Sequence, residues 1–278
     1  MNVPIIDTHV HFWDPRHLSY EWLNKVPALN RAFLPEEYIS VTQGINIQSL
    51  IFVEADCAQK NEEIKWIATL AKQNKIIEGI ISGVFFDNIK NSQSVNGVRH
   101  ILQDLPETYF LQSDFVEGIK KLTKFNLSFD LCIRSHQLPF VIKLVEQCPD
   151  MHFILDHLGK PDVRKSEWEF WASNIKKLSA LPNVFCKISG LVTEADPINW
   201  TTNALRPYVL HAAEQFGQHR IMFGSDWPVV NLAGGYTRWL NTLNEIFSDY
   251  SNSFKKNFFY DNAISFYKLN KVKLNETA

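Results

Sequence analysis

The sequence predicts an α/β fold, a (β/α)8 TIM barrel. Three observations carry that expectation. Short β-rich apolar runs recur eight times along the 278 residues. Most are separated by segments of helix length with helical spacing of apolar residues. Several read as near-continuous hydrophobic stretches, as strands do when a parallel sheet is covered by helices. An open doubly wound sheet is the rival, but it usually carries a glycine-rich turn after its first strand, and none follows here.

The first run, "IIDTHVHFWDP" (Ile5 to Pro15), is polar where a surface strand would be apolar. Side chains alternate along a strand. Asp7, His9 and His11 are therefore expected to share one face, and Ile6, Thr8 and Val10 the other. The ionisable face must look into something other than an apolar core. The segment from Asp14 to Gly44 is too long for a bare loop. It is expected to be an insertion over the barrel mouth, a lid or pocket wall, with "LPEEYISV" as a short helix inside it. The later strand candidates are "QSLIFVEA", "EGIISGVFF", "NGVRHI", "LSFDLCIR", "MHFILDH", "NVFCKIS" and "RIMFGSDW".

Helices are expected at Glu63 to Lys72, after a Ser166-x-x-Glu169 capping box, at Ala204 to Phe216 with Gly217 as C-cap, and at Trp239 to Phe247. The chain after Ser251 reads as one or two terminal helices with a frayed polar end. No linker divides the chain, so residues 1–278 are read as one domain.

Composition bounds the function classes. A net charge of −2 with no basic tract argues against nucleic acid or an anionic membrane as partner. No apolar run is long enough to span a bilayer, and Met1 to Pro4 leads straight into the first strand without a signal-peptide pattern. Cys57, Cys132, Cys148 and Cys186 are scattered without a CxxC motif. They read as reduced core residues of a cytoplasmic protein.

In a TIM barrel, chemistry collects where the strands end. Those ends hold His9 and His11, Glu54, Arg99 and His100, Arg134, His157, Ser189 and Asp226. Imidazoles and carboxylates converging on one mouth suit a divalent metal such as zinc. They equally suit a metal-free hydrolytic site, where cationic groups polarise a carbonyl and Asp226 takes a proton from water. Each residue alone has a plainer reading as a turn former, cap or paired surface charge. Their joint placement at successive strand ends is the signal.

The motifs "IIDTHVHFWDP", "GVRHIL", "FDLCIR", "ILDHLGKP", "FCKISGLVTEAD" and "IMFGSDWPV" resemble the lactonase branch of the amidohydrolase superfamily, in family order from Ile5 to about Tyr267. The sugar-lactone subgroup is the nearer match. The resemblance implies an amidohydrolase-like barrel that opens a small cyclic ester, a sugar (aldono) lactone such as L-fuconolactone. It maps His9, His11, His157 and Asp226 onto the family's catalytic and metal-binding positions. No lysine stands at the fourth or fifth strand end to bridge two metals, so one Zn2+ or none is expected.

The expected mechanism is direct attack of water with Asp226 as base, since no GxSxG elbow is present. Arg99, Arg134, Glu54 and His100 are candidates for substrate binding, and Trp13 and Trp227 offer flat faces for a sugar ring. A zinc-dependent non-oxidative decarboxylase on the same scaffold and a barrel that binds a ligand without turnover are the alternatives. The expected partner is a small lactone, and a homo-oligomer is left open.

Overall fold

The computed structural model describes residues 3–83 and 95–269. Eight parallel strands run in sequence order around a nearly closed barrel: β1 (Ile5–Val10), β2 (Ile47–Val53), β3 (Ile77–Ser82), β4 (Val95–Ile101), β5 (Ser128–Cys132), β6 (Phe153–Leu155), β7 (Val184–Ile188) and β8 (Ile221–Phe223). The circle is drawn together by the pairing of Val10 with Trp227 and by Asp226 N–H donating to the His9 carbonyl at 2.9 Å. The end of the expected strand "EGIISGVFF" lies outside the described residues.

Helices cover the outside: α1 (Pro35–Val41), α2 (Lys60–Gln73), α3 (Ser113–Leu122), α4 (Leu138–Glu146), α5 (Glu169–Ser179), α6 (Thr202–Phe216) and α7 (Gly235–Ile246). Two short ones follow, α8 (Asn252–Lys256) and α9 (Asn262–Tyr267). Strand residues facing these helices, such as Leu50, Phe52, Phe129, Leu131, Cys186 and Ile188, join one large apolar core. Their neighbours Ile51, Val53, Ile81, Ile154 and Met222 point inward and pack with Ile6, while Tyr260, Ala263 and Tyr267 join them from the C-terminal helices. The two sets alternate residue by residue, as a pleated strand requires. All four cysteines are buried and unpaired. The expected polar tail from residue 270 onward lies outside the described residues.

Two local expectations need correction. Ser166 does not cap α5. It sits in a left-handed conformation, φ 56°, ending a short 3-10 turn, and Trp168 precedes the helix without a side-chain cap. Nor does β1 alternate without a break. Its register against β2 shifts between Asp7 and Val10. Such a shift reverses which face a residue occupies. Ile6 therefore joins the inward cluster, while Asp7 turns outward. There Asp7 accepts from Ser225 N–H at 2.8 Å and from the α1 hydroxyl of Tyr38 at 3.0 Å. It stitches β1, the end of β8 and α1 together. Burial pushes its carboxyl up to about 6, against the hydrogen bonds from Ser225, His9 and Tyr38.

Candidate active site

The strand ends supply a compact ionisable cluster. His9, beyond the shift in β1, faces inward and meets Asp226 through Nε2 at 3.7 Å. Its ring centroid lies 4.5 Å from that of His157. His11 donates through Nδ1 to the Val53 carbonyl at 2.8 Å, because a carbonyl can only accept. That leaves Nε2 facing Asp226 Oδ1 at 3.3 Å. His157 Nδ1 is paired with Ser189 Oγ at 2.9 Å.

Unusual backbone aims these groups. Asp226 has φ 62°, and the turn after β6 holds His157, Leu158, Gly159 and Lys160 consecutively at φ between 50° and 73°. A left-handed conformation costs a non-glycine residue roughly 1–2 kcal/mol. Strain of this kind persists where the surroundings enforce it, often at functional sites. Here Leu158 is fully buried and its carbonyl accepts from Trp171 Nε1 at 2.8 Å. Gly190 and Gly224 make the close packing possible. A Cβ on Gly190 would overlap His157 Nδ1 and approach Asp226 Oδ2 to 2.9 Å. One on Gly224 would come within 2.8 Å of His9 Cβ.

Behind the cluster lies a charged network inside the barrel. Lys187 pairs with Asp130 at 2.5 Å and with Asp156 at 3.2 Å, all three fully buried. Asp156 also faces His9 Nδ1 at 3.4 Å and Arg99 at 3.6 Å. Arg99 is gripped by Glu54, Nε to Oε1 at 2.7 Å and Nη2 to the backbone carbonyl, and turns Nη1 toward His9 Nε2 at 3.3 Å. Glu54 is therefore buried behind Arg99 and orients it. Burial raises the Glu54 carboxyl, but the adjacent guanidinium more than offsets this and holds it below its usual range.

A cleft of about 240 Å3 opens above this floor. It is smaller than sites for drug-sized ligands. His11, Arg99, His157 and Asp226 line its base, and Trp13 and Trp22 form one wall. The indoles meet edge to face at 5.2 Å. Each is pinned by its N–H, Trp13 to the Arg31 carbonyl at 2.9 Å and Trp22 to the Ala55 carbonyl at 2.8 Å. The segment between β1 and β2 thus walls the cleft.

Three of the sequence candidates stand elsewhere. Arg134 lies past the end of β5, 46% exposed, and pairs with Asp104 at the rim at 3.3 Å. His100 faces outward from β4 and stacks on Tyr109 at 5.7 Å, since strand neighbours alternate and Arg99 faces in. Trp227 is fully buried among Phe12, Phe33 and Tyr38 and does not line the cleft. Asp156, Lys160, Gln103, Asp56 and Trp22 escape the sequence reading. Only Asp156 carried a signal, because it shares the inward parity of Ile154 two residues before it.

Among the described residues, His9, His157 and Asp226 are the group placed to hold a metal ion, with ligand atoms within 4.8 Å of one another. His11 stands outside that trio. The chemistry of the donor set fits. Burial pulls the His157 imidazole down to about 4, against the attraction of Asp226, and pulls His9 well below its ordinary value despite Asp156. Burial pushes Asp226 the other way, but His157, His11 and His9 hold it below the usual carboxylate range. Neutral imidazoles and an ionised carboxylate are what a divalent ion needs. The distal nitrogens of His9 and His157 are oriented by Asp156 and Ser189, as in metal sites whose ligands are held by outer partners.

A family model described as amidohydrolase matches residues 6–269. The chain belongs to the amidohydrolase family. This places it among hydrolytic enzymes. It is 28% identical over 249 residues to an L-fucono-1,5-lactonase of Burkholderia ambifaria, covering 84% of this chain and 85% of that one. It is 23% identical over 261 residues to an L-rhamnono-gamma-lactonase of Scheffersomyces stipitis, covering 84% and 78%. A crystal structure of an amidohydrolase from Burkholderia multivorans with bound zinc matches with a TM-score of 0.87 at 26% identity, covering 96% of this chain and 99% of that one. No described helix is long and apolar enough to cross a membrane.

Proposed function

We propose that this amidohydrolase opens a sugar lactone by direct attack of water. One observation carries the reading: an ionised Asp226, ringed by His9, His11 and His157, at the floor of a small cleft with an indole wall. The names of the lactonase relatives support the same reaction class.

Hydrolysis of a lactone needs a polarised carbonyl, an activated water and a protonated leaving group. Arg99 is the fixed donor beside the acyl oxygen, its fork locked by Glu54. Asp226 takes one proton from the attacking water as the new bond to the acyl carbon forms. The ring C–O bond then breaks, and the proton passes from Asp226 to the departing oxygen. The product is a hydroxy acid, which ionises in solution. A zinc ion bound by His9, His157 and Asp226 would supply a Lewis acid at the carbonyl. The part-exposed Trp22 indole, backed by the buried Trp13, suits the apolar face of a sugar ring and excludes water from it.

The test is a panel of aldonolactones with a pH indicator that reports acid release. Turnover of at least one supports the reading. Inactivity across the panel, with carbon dioxide released from a carboxylated aromatic substrate, would replace it with decarboxylation.

A further inference from the structure

Across the barrel from the segment after β1 that carries the two indoles, the loops after β4 and β6 bring Gln103 and Lys160 to the cleft. Lys160 ends the left-handed run that starts at His157, and both residues line the cleft. The run closes on itself through Lys160 N–H donating to the His157 carbonyl at 2.8 Å. A lysine gains nothing locally from φ 50°, since its Cβ crowds the backbone there. Holding it so fixes its stem relative to His157. Its ammonium donates to Gln103 Oε1 at 2.6 Å. An ammonium carries three donors. Gln103 accepts one, and the side chain borders a cleft whose reacting floor is already furnished by Arg99 and the histidines.

We infer that Lys160, braced by Gln103, is a specificity-determining residue that reads a hydroxyl group of the lactone. The inference rests on the lactonase reading and adds to it the group that recognises the substituted edge of the ring. A sugar lactone set against the indoles presents its hydroxyl-bearing edge to the opposite wall. There a fixed ammonium donates to one hydroxyl oxygen, and Gln103 keeps the long side chain from folding away. Sites built to hydrogen-bond a substrate hydroxyl discriminate strongly against analogues lacking it, because buried polar groups are left unpaired.

The test pairs enzyme variants with substrate variants. The aldonolactone that wild type hydrolyses best is compared with its monodeoxy analogues, for wild type, Lys160→Met, Lys160→Arg and Gln103→Leu. Wild type is expected to lose about tenfold to a hundredfold in kcat/KM when one particular hydroxyl is removed, mainly through KM. In Lys160→Met that one loss should vanish while losses at the other positions persist. Lys160→Arg should restore part of it, and Gln103→Leu should fall between. A Lys160→Met loss equal across the whole series, total inactivity included, assigns Lys160 to the reacting end or to folding and overturns the inference. So does a deoxy profile identical to that of wild type. Wild type inert toward every aldonolactone overturns the lactonase reading instead.

Discussion

Lys187 and Asp130 meet inside the barrel, Nζ 2.5 Å from Oδ2, with neither side chain reaching solvent. Asp156 flanks the ammonium at 3.2 Å, and Asp7, which simple strand parity puts on the same face as His9, is turned away by the shift in β1. Burial opposes the charge on Lys187, but the two carboxylates outweigh it and raise its affinity for the proton. Lys187→Met should therefore strand buried carboxylates and destabilise the fold by about 3–5 kcal/mol. Urea unfolding measures this. A variant as stable as wild type that had lost only turnover would move Lys187 into the catalytic set.

Asp226→Asn is expected to keep the fold and lactone binding but lose turnover. An amide is nearly isosteric, and it tolerates the left-handed backbone at this position. It cannot accept the water proton. Losing a general base costs on the order of a hundredfold to ten-thousandfold. Steady-state kinetics with the best aldonolactone should show the loss in kcat. Near-normal turnover would remove Asp226 from the proton transfer.

Gly190→Ala tests the packing of the site rather than its chemistry. The new Cβ collides with His157 Nδ1 and crowds Asp226, and φ 58° disfavours any side chain. The cheapest relief is to swing His157 off Ser189. Activity should fall at least about tenfold, as catalytic groups displaced by an ångström lose comparable factors. Ser189→Ala, which frees the same nitrogen without a clash, should lose less. Equal activity of Gly190→Ala and wild type would mean that His157 need not sit where the structure puts it.

Metal content should not exceed one equivalent per chain. The described residues offer a single cluster of suitable donors, His9, His157 and Asp226. The Arg99 guanidinium already stands 3.3 Å from His9 Nε2, and adding its charge to two cations in one cluster would be repulsive. Elemental analysis after growth with zinc and removal of loosely bound ions checks this. Two tightly held equivalents would contradict it, and His157→Ala should abolish whatever is bound.

Strand periodicity made the barrel legible in the sequence, because eight apolar runs at parallel-sheet spacing leave few other folds. It also made His9, His11 and Asp226 legible as strand-end residues. The failures have specific causes. The shift between Asp7 and Val10 inverts the face of Asp7, and no residue type in "IIDTHV" announces it. His100 follows the inward Arg99 within β4, so alternation applied strictly turns it outward, while Trp227 lies beyond β8 after the left-handed Asp226, where no strand pattern fixes its direction. Arg134 lies two residues past the last β5 residue, where alternation no longer applies. Lys160 was hidden in a turn whose left-handed backbone runs against the preferences of His, Leu and Lys alike.

Glu63 offers a pH-dependent test of the support beneath the cleft. It is buried on α2, accepts from Ala55 N–H at 3.2 Å, and so fixes the strand end that carries Glu54. Burial first, and the nearby Glu54 charge second, push its carboxyl from 4.5 up to about 8. The folded state thus binds a proton that the unfolded chain releases near pH 4.5. Between those values the native protein holds more protons, so the contribution of Glu63 to stability falls as pH rises. It is intact below about pH 4.5 and lost above about pH 8. Glu63→Gln keeps the carbonyl acceptor for Ala55 and cannot ionise. Its stability relative to wild type should therefore climb steadily from pH 5 to pH 8 and level off beyond. The same comparison cancels Asp7, whose raised carboxyl is present in both proteins. Denaturant unfolding of the pair across that range gives the difference curve, and a flat one would show that Glu63 is already ionised in the native state at pH 5.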